Sequence, residues 1–212
     1  MNRKDHWDKV YTGKAPEAVS WYQPRPAVSL ELVAAAGIRP QDPVIDVGGG
    51  ASTFVDCLLD AGFSAVTVLD LSAEALAHAR ARLGARAELV QWIHQDVTRF
   101  RPPTRFALWH DRAVFHFLVD AADRAAYVDS LRHGLAPGGT AIIATFAVDG
   151  PEKCSGLPVM RHDEASLQRE LGPGFELLES RRETHLTPWR SEQRFLYACF
   201  RHVKGLPDTA GV

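Results

Sequence analysis

A chain of 212 residues, 46% apolar and 24% charged, is long enough for one domain with a substantial buried core. Its formal net charge of −2 gives no support to a whole-surface nucleic-acid footprint, so no nucleic-acid partner is expected. No run approaches the roughly 18 apolar residues of a membrane helix, the start lacks the apolar core of a secretory signal, and Cys57, Cys154 and Cys199 form neither a pair spacing nor a metal motif. A cytoplasmic chain with reduced thiols and no membrane contact is the expectation.

The first 43 residues open with aromatic side chains, Trp7, Tyr11 and then Ser20-Trp21-Tyr22-Gln23-Pro24. They read either as a hydrophobic lid packed on the domain or as an arm folded over a ligand. A helix follows from Ala27 to Ala36, with Leu30, Val33 and Ala34 on one face and Gly37 and Pro40 ending it. Val44, Ile45 and Val47 predict a short buried strand, and Gly48-Gly49-Gly50 force a tight turn. Ala51 to Gly62 then carries a helical pattern through Phe54, Val55, Leu58 and Leu59. Strand, glycine turn and helix in that order let the backbone pass close to a bound ligand. A dinucleotide fingerprint, G-x-G-x-x-G, wants a third glycine where Thr53 stands. Asp46 ends the strand instead, giving D-x-G-x-G; an acid there repels a pyrophosphate but can hold an ammonium group.

Ala65 to Leu69 is a second strand leading into Asp70-Leu71-Ser72, and Ser72 caps a helix from Ala73 to Leu83, with Glu74 at its start and Arg80 and Arg82 near its end. Asp70 lies about 20 residues past the glycines, where a carboxylate can accept both hydroxyls of a ribose. A third strand, Glu88 to Ile93, runs into His94-Gln95-Asp96-Val97. A fourth, Arg105 to Trp109, delivers His110-Asp111-Arg112-Ala113-Val114-Phe115-His116-Phe117. Open α/β sheets bind ligands at the carboxyl ends of strands near the switch point, where strand four neighbours strand one. His110, Asp111 and His116 are therefore the leading acid/base or acceptor-orienting candidates. Asp120 to Leu135 forms a long helix with Tyr127, Val128 and Leu131 at core spacing. Pro137-Gly138-Gly139 then turns into a fifth strand, Thr140 to Phe146. The loop Ala147 to His162, which holds Cys154, emerges on the same face as the other binding loops. Asp163 caps a helix from Glu164 to Leu171, and Phe175 to Thr184 and Glu192 to His202 read as antiparallel strands closing the sheet. Their connection, His185-Leu186-Thr187-Pro188-Trp189, is apolar and placed to reach back toward the pocket; the tail from Lys204 is expected to fray.

The Asp46–Gly50 turn, Asp70, Asp96 and the Leu135-Ala136-Pro137-Gly138-Gly139 turn together resemble the class I S-adenosylmethionine (SAM)-dependent methyltransferases over about Gln41 to Phe146. The terminal antiparallel pair extends the likeness to about His202. The resemblance implies an α/β, doubly wound, Rossmann-like seven-stranded sheet, mostly parallel with a C-terminal antiparallel pair. It implies one domain over residues 1–203, with residues 1–40 as an arm and helix over the cofactor site, and SAM as cofactor. Asp46, Gly48, Gly49 and Gly50 would receive its methionine end, Asp70 and Leu71 its ribose, and Asp96 and Val97 its adenine. Tyr11 and Trp21 would add cofactor contacts, and Tyr22, Cys154 and His185 would face the substrate. The His-Trp-Asp-Lys-Val-Tyr and Ser-Trp-Tyr-Gln segments also look like methyltransferase-like enzymes that modify lysines on citrate synthase or elongation factor. After strand four, however, His-Asp-Arg-Ala-Val-Phe-His-Phe replaces their Asp-Lys-Gly type of loop. No Asn-Pro-Pro-Tyr-type motif follows strand four, against amino methylation of adenine or glutamine. Asp111 alone does not make a catechol-type metal site, and no metal is expected.

The function expected is methyl transfer from SAM by in-line displacement to a small-molecule thiol, hydroxyl or amine. Thiols need little more than a nearby histidine to become thiolates, and His110, His116 and His185 are available for that. The competing expectations are a protein lysine methyltransferase and a non-catalytic SAM-binding regulatory subunit. A nicotinamide-dependent dehydrogenase is disfavoured by Thr53 and Asp46.

Overall fold

Seven strands share one sheet in the computed structural model, which describes residues 3–203. They are β1 (Val44–Val47), β2 (Val66–Asp70), β3 (Val90–His94), β4 (Phe106–Arg112), β5 (Leu135–Phe146), β6 (Phe175–Leu186) and β7 (Glu192–His202). Their order across the sheet is β3-β2-β1-β4-β5-β7-β6. The first five pair in parallel, and β7 enters antiparallel between β5 and β6. The expected doubly wound sheet with its antiparallel pair is thus the fold. The order reverses between β1 and β4, which opens a crevice at their carboxyl ends.

Burial follows strand position. All four residues of β1 are buried, as a central strand covered on both faces requires. Along β6, at the sheet's edge, better-buried residues alternate with exposed ones. Successive side chains point to opposite faces, so each strand feeds two cores. Ile45, Leu69, Trp109 and Ile143 join Tyr127 and Leu131 of helix α5 (Ala121–Gly134) and Leu167 of α6 (Glu164–Leu171). Val44, Val68, Leu108 and Ile142 pack with Leu32 of α2 (Ala27–Ala35), Phe54 and Leu58 of α3 (Phe54–Asp60) and Leu76 of α4 (Ala73–Leu83).

The capping expectations hold: Ser72 Oγ accepts from the Ala75 amide at 3.2 Å, and Asp163 forms a capping box with Ser166. Several boundaries differ from expectation. Helix α3 begins at Phe54 rather than Ala51, because Ser52 Oγ accepts from the Phe54 amide at 3.1 Å while the turn continues. β4 runs on to Arg112, and β6 to Leu186, so His110, Asp111 and His185 are strand residues rather than loop residues. The loop after β5 contains a short hairpin, Lys153–Cys154 against Leu157–Pro158.

The largest addition is a helix, α1 (Arg3–Gly13), where only an aromatic arm was foreseen. It rests on α4 and its N-cap: Ser72 Oγ donates to Asp8 Oδ1 at 2.7 Å, and His78 Nε2 lies 2.9 Å from the Tyr11 carbonyl oxygen. Trp7 packs edge-on against Trp21 (5.6 Å between centroids) and Phe117 (4.9 Å). The segment expected to fray, from Lys204, lies outside the described residues. Among the described residues no helix is long and apolar enough to cross a membrane.

Candidate active site

The glycine turn is dictated by what surrounds it. Gly48 (φ 69°) and Gly50 (φ 27°) take conformations that a side chain disfavours. A Cβ at Gly48 would lie 2.0 Å from Val114 Cγ2, one at Gly49 would lie 2.3 Å from Asp46 Oδ2, and one at Gly50 would lie 2.5 Å from Asp70 Oδ2. The missing side chains therefore make room for Asp46 of β1 itself, for Asp70 at the tip of β2 and for Val114 in the loop after β4.

Two cavities open at these tips, of about 790 and 550 Å³ including their mouths, and they share Tyr11, Trp21, Gly48 and Arg112. Both fall in the size range of small-molecule sites. The larger runs from Asp70, Leu71, Gln95, Asp96 and Val97 at one end to Arg112, Val114 and Cys154 at the other. The smaller lies between Tyr22, Gln23, the glycine turn and His110. Helix α1 contributes Arg3, Trp7 and Tyr11 to the larger cavity wall, so the N-terminal segment is part of the site.

Asp70 ends β2 and borders the larger cavity, with Oδ1 accepting from the Ser72 amide at 2.7 Å. Burial pushes its carboxyl up to about 7 against the pull of that amide, and the nearby Asp46 charge adds to the rise. A buried carboxylate short of donors is what a vicinal diol satisfies. Asp96 caps a short 3-10 turn, Oδ1 accepting from the Thr98 amide (2.9 Å) and hydroxyl (2.8 Å), while Oδ2 lies 3.5 Å from Arg3 Nη2. It lines the cavity beside Val97 but with its oxygens largely engaged.

The acid/base candidates are placed differently from expectation. His110 bridges two buried groups, with Nδ1 2.7 Å from Asp46 Oδ1 and Nε2 2.9 Å from Ser29 Oγ, and stacks on Phe54 at 4.1 Å. Only His110 of this trio borders a cavity. The Asp–His–Ser order resembles a hydrolytic triad, but the fully buried Ser29 is out of reach of a substrate. Asp46 is set under the glycine turn rather than at the cavity surface, because His110 holds Oδ1 and Oδ2 is enclosed without a partner.

Asp111 is fully buried and organises the loop after β4. It accepts from the Val114 amide (2.8 Å), the Phe115 amide (3.1 Å) and the Tyr127 hydroxyl (2.7 Å). Burial pushes its carboxyl up to about 6 in spite of those donors. His116 is also fully buried; its Nδ1 accepts from the Phe146 amide at 3.2 Å, and burial drives its pKa down to about 3. Neither borders a cavity, so both hold structure where acid/base duty was expected. His185 is likewise outside, Nε2–H donating to the Ser20 carbonyl at 2.7 Å, with burial lowering its pKa. Cys154 does border the larger cavity, as a thiol that burial pushes up to about 11. Tyr22 borders the smaller one, and Tyr11 and Trp21 border both, joined by a 3.3 Å hydrogen bond from Trp21 Nε1 to Tyr11 Oη.

Arg112 is the site residue that sequence reasoning passed over. Its side chain is 10% exposed, stacks over Phe195 at 4.4 Å and borders both cavities. Nε donates to Tyr197 Oη at 2.8 Å and Nη1 to the Trp21 carbonyl at 3.0 Å, tying the N-terminal segment to the sheet. The signal was present in the sequence, since Arg112 directly follows His110 and Asp111 at the tip of a central strand. The residues present fit SAM: a side-chain-free cradle at Gly48–Gly50, the donor-poor Asp70 carboxylate filling the space where a side chain at Gly50 would stand, and an apolar slot at Val97 and Val114.

The sheet order and the site at its reversal define the fold of class I SAM-dependent methyltransferases. Residues 44–139, just under half of the chain, match the family model described as a methyltransferase domain, and the site there fits SAM as the cofactor. The eEF1A lysine and N-terminal methyltransferase of Mus musculus is 27% identical over 101 residues, which cover 47% of this chain and 14% of that protein. The chain thus spans about a seventh of the length of the curated relatives it matches. Among solved structures, one reported for the conversion of a disulfide bond into a thioacetal group during echinomycin biosynthesis has a TM-score of 0.77 at 19% identity, covering 97% of this chain and 94% of the other. The N-methyltransferase NodS from Bradyrhizobium japonicum, solved with S-adenosyl-L-homocysteine (SAH), has a TM-score of 0.74 at 16% identity over 96% of this chain and 100% of the other.

Proposed function

We propose that this chain transfers the SAM methyl group to a small-molecule acceptor bound between Trp21, Arg112 and Cys154. The observation that carries the reading is the roofed cavity: α1 and the aromatic cluster Trp7–Trp21–Phe117 cover its larger chamber, leaving room for small reactants. Asp70 accepts the ribose hydroxyls, Val97 and Val114 sandwich the adenine, and the glycine turn accommodates the methionine backbone. SAM supplies a methyl already activated by its sulfonium. The protein's task is then to align the acceptor, exclude water and fix the donor. Likeness of fold does not choose the acceptor, since the neighbours' own chemistries include nitrogen methylation and thioacetal formation.

A second reading, a protein lysine methyltransferase, is favoured by the 27% identity to the eEF1A enzyme. Incubating the purified chain with methyl-labelled SAM and a fractionated cell extract separates the two. Label in the small-molecule or volatile fraction supports the first reading; label confined to protein replaces it with the second. Binding of SAH with no transfer to any fraction would leave a SAM-binding regulatory subunit.

A further inference from the structure

Every group on the cavity walls that could take a proton from an acceptor is already engaged. Both ring nitrogens of His110 have partners, and the Asp96 oxygens face Thr98 and Arg3. Tyr11 accepts from Trp21 and burial pushes its phenol well above the ordinary range, while Cys154 remains a thiol. Tyr22 borders only the smaller cavity. Asp70 is assigned to the ribose. His116 and His185, the remaining nearby bases, lie outside both cavities.

A cation stands where a base was expected. Arg112 is held by Tyr197, Trp21 and the Phe195 ring, and its Nη2 is enclosed without a hydrogen-bond acceptor. Its nearest carboxylate oxygen, Glu183 Oε2, lies 3.7 Å from Nη2 and is already taken by the Tyr197 hydroxyl at 2.8 Å. The other Glu183 oxygen accepts from Gln23 Nε2 at 2.7 Å. The titratable groups about the guanidinium are therefore Glu183 and Tyr197 from the terminal hairpin, Cys154 from the loop after β5, and His116 and His185, whose protonation it opposes. Charge acts through the cavity wall where a hydrogen bond cannot.

We infer that the methyl acceptor is a small thiol that reacts as its thiolate, with Arg112 as the fixed counter-cation; this rests on the methyl-transfer reading above. The thiol proton leaves to solvent as the thiolate settles beside Arg112. A sulfur lone pair forms the new S–CH3 bond while the sulfonium C–S bond breaks, and its electron pair stays on the sulfur of SAH. An anion and a cation become two neutral products, so the step needs no base on the wall. An amine would bring a second cation beside Arg112, and an alcohol would need the base that is missing. Sulfur is also the softer nucleophile, and the walls of Trp7, Trp21 and Phe117 suit its polarizability.

The test uses the full chain with SAM and three acceptors of matched size, butanethiol, butylamine and butyrate, following SAH release, with SAH affinity measured by calorimetry. Release should be driven by butanethiol. At saturation its kcat should rise with pH along a pKa below that of the free thiol. Arg112→Gln should move that inflection up by one to two units, a roughly 10- to 100-fold deficit at neutral pH that closes in alkali. Its SAH affinity should stay within about threefold of wild type, and Arg112→Lys, which keeps the charge, should fall between and serves if the glutamine variant does not fold. Turnover of butylamine or butyrate with butanethiol inert overturns the proposal, as does SAH binding without turnover of any of the three. A deficit independent of pH, or one matched by lost SAH affinity, likewise removes Arg112 from this role. Failure of the wild-type chain to bind SAH would strike the methyl-transfer reading itself.

Discussion

The two halves of the sheet's carboxyl edge use their polar residues in opposite ways. On the β1–β3 side, Asp70 is brought to a cavity wall and left short of donors, so that a ligand completes it. On the β4–β5 side, Asp111 and His116 are withdrawn from the cavity: three protein donors complete Asp111, while His116 accepts the Phe146 amide at Nδ1 and keeps Nε2 enclosed without a partner. A titratable residue at a strand tip is therefore a binding residue only when its polar atoms reach the cavity. Position along the chain does not decide it.

The sharpest way to break this contrast is to disturb the glycine turn, where both halves meet. Gly50→Ala drives a methyl into the Asp70 carboxylate and the Ala75 methyl, and should cost about 2–4 kcal/mol of stability together with detectable SAH binding. Urea unfolding and calorimetry read the two losses. Next comes Asp111→Ala, which strands the Tyr127 hydroxyl and two amides; stability should fall by about 3 kcal/mol while folded protein keeps its affinity for SAH. A large loss of affinity without unfolding would return Asp111 to the site.

Asp70 should show the reverse pattern. Asp70→Ala is expected to weaken SAH binding by about 1.5–3 kcal/mol with the fold intact. Asp70→Asn keeps an acceptor for the Ser72 amide but removes a buried charge, and should raise the melting temperature of ligand-free protein at pH 8. An unchanged affinity in either variant would take the ribose away from this residue.

The smallest effect is a slope in pH. His116 is neutral in the folded chain down to about 3 and at about 6.5 in the unfolded chain, so the unfolded state binds the extra proton between those values. Its contribution is a loss of stability as pH falls through that window, on the order of 1.4 kcal/mol per unit. Asp70 and Asp111, raised to about 7 and 6 from 3.8, work with the opposite sign over most of the same range. His116→Asn, which can still accept from the Phe146 amide, should therefore gain stability relative to the parent toward the acid end of that window. An identical profile in chemical denaturation would show that His116 does not titrate in this way.

The donor half was legible in the sequence because backbone geometry sets it. A strand, three glycines and an acid at the next strand's tip place Asp70 without help from distant residues. The other half was opaque because its partners are remote: His110 meets Ser29 from 81 residues away, and Arg112 meets Tyr197 from 85. Three titratable residues in a row looked like chemistry, and only the contacts of each distinguish His110, Asp111 and Arg112. Helix α1 escaped notice for a related reason. Its short amphipathic face, Trp7 and Tyr11, finds its stability on α4 and Trp21 rather than in local propensity.

The void at Gly50 carries a consequence for any attempt to redesign the protein. Asp70 occupies the volume that a methyl at residue 50 would fill, so two positions twenty apart in the chain share one small space. Varied singly, each will return its parent residue. Varied together, an alanine at 50 would have to travel with a smaller side chain at 70, and donor specificity would be exchanged as a pair.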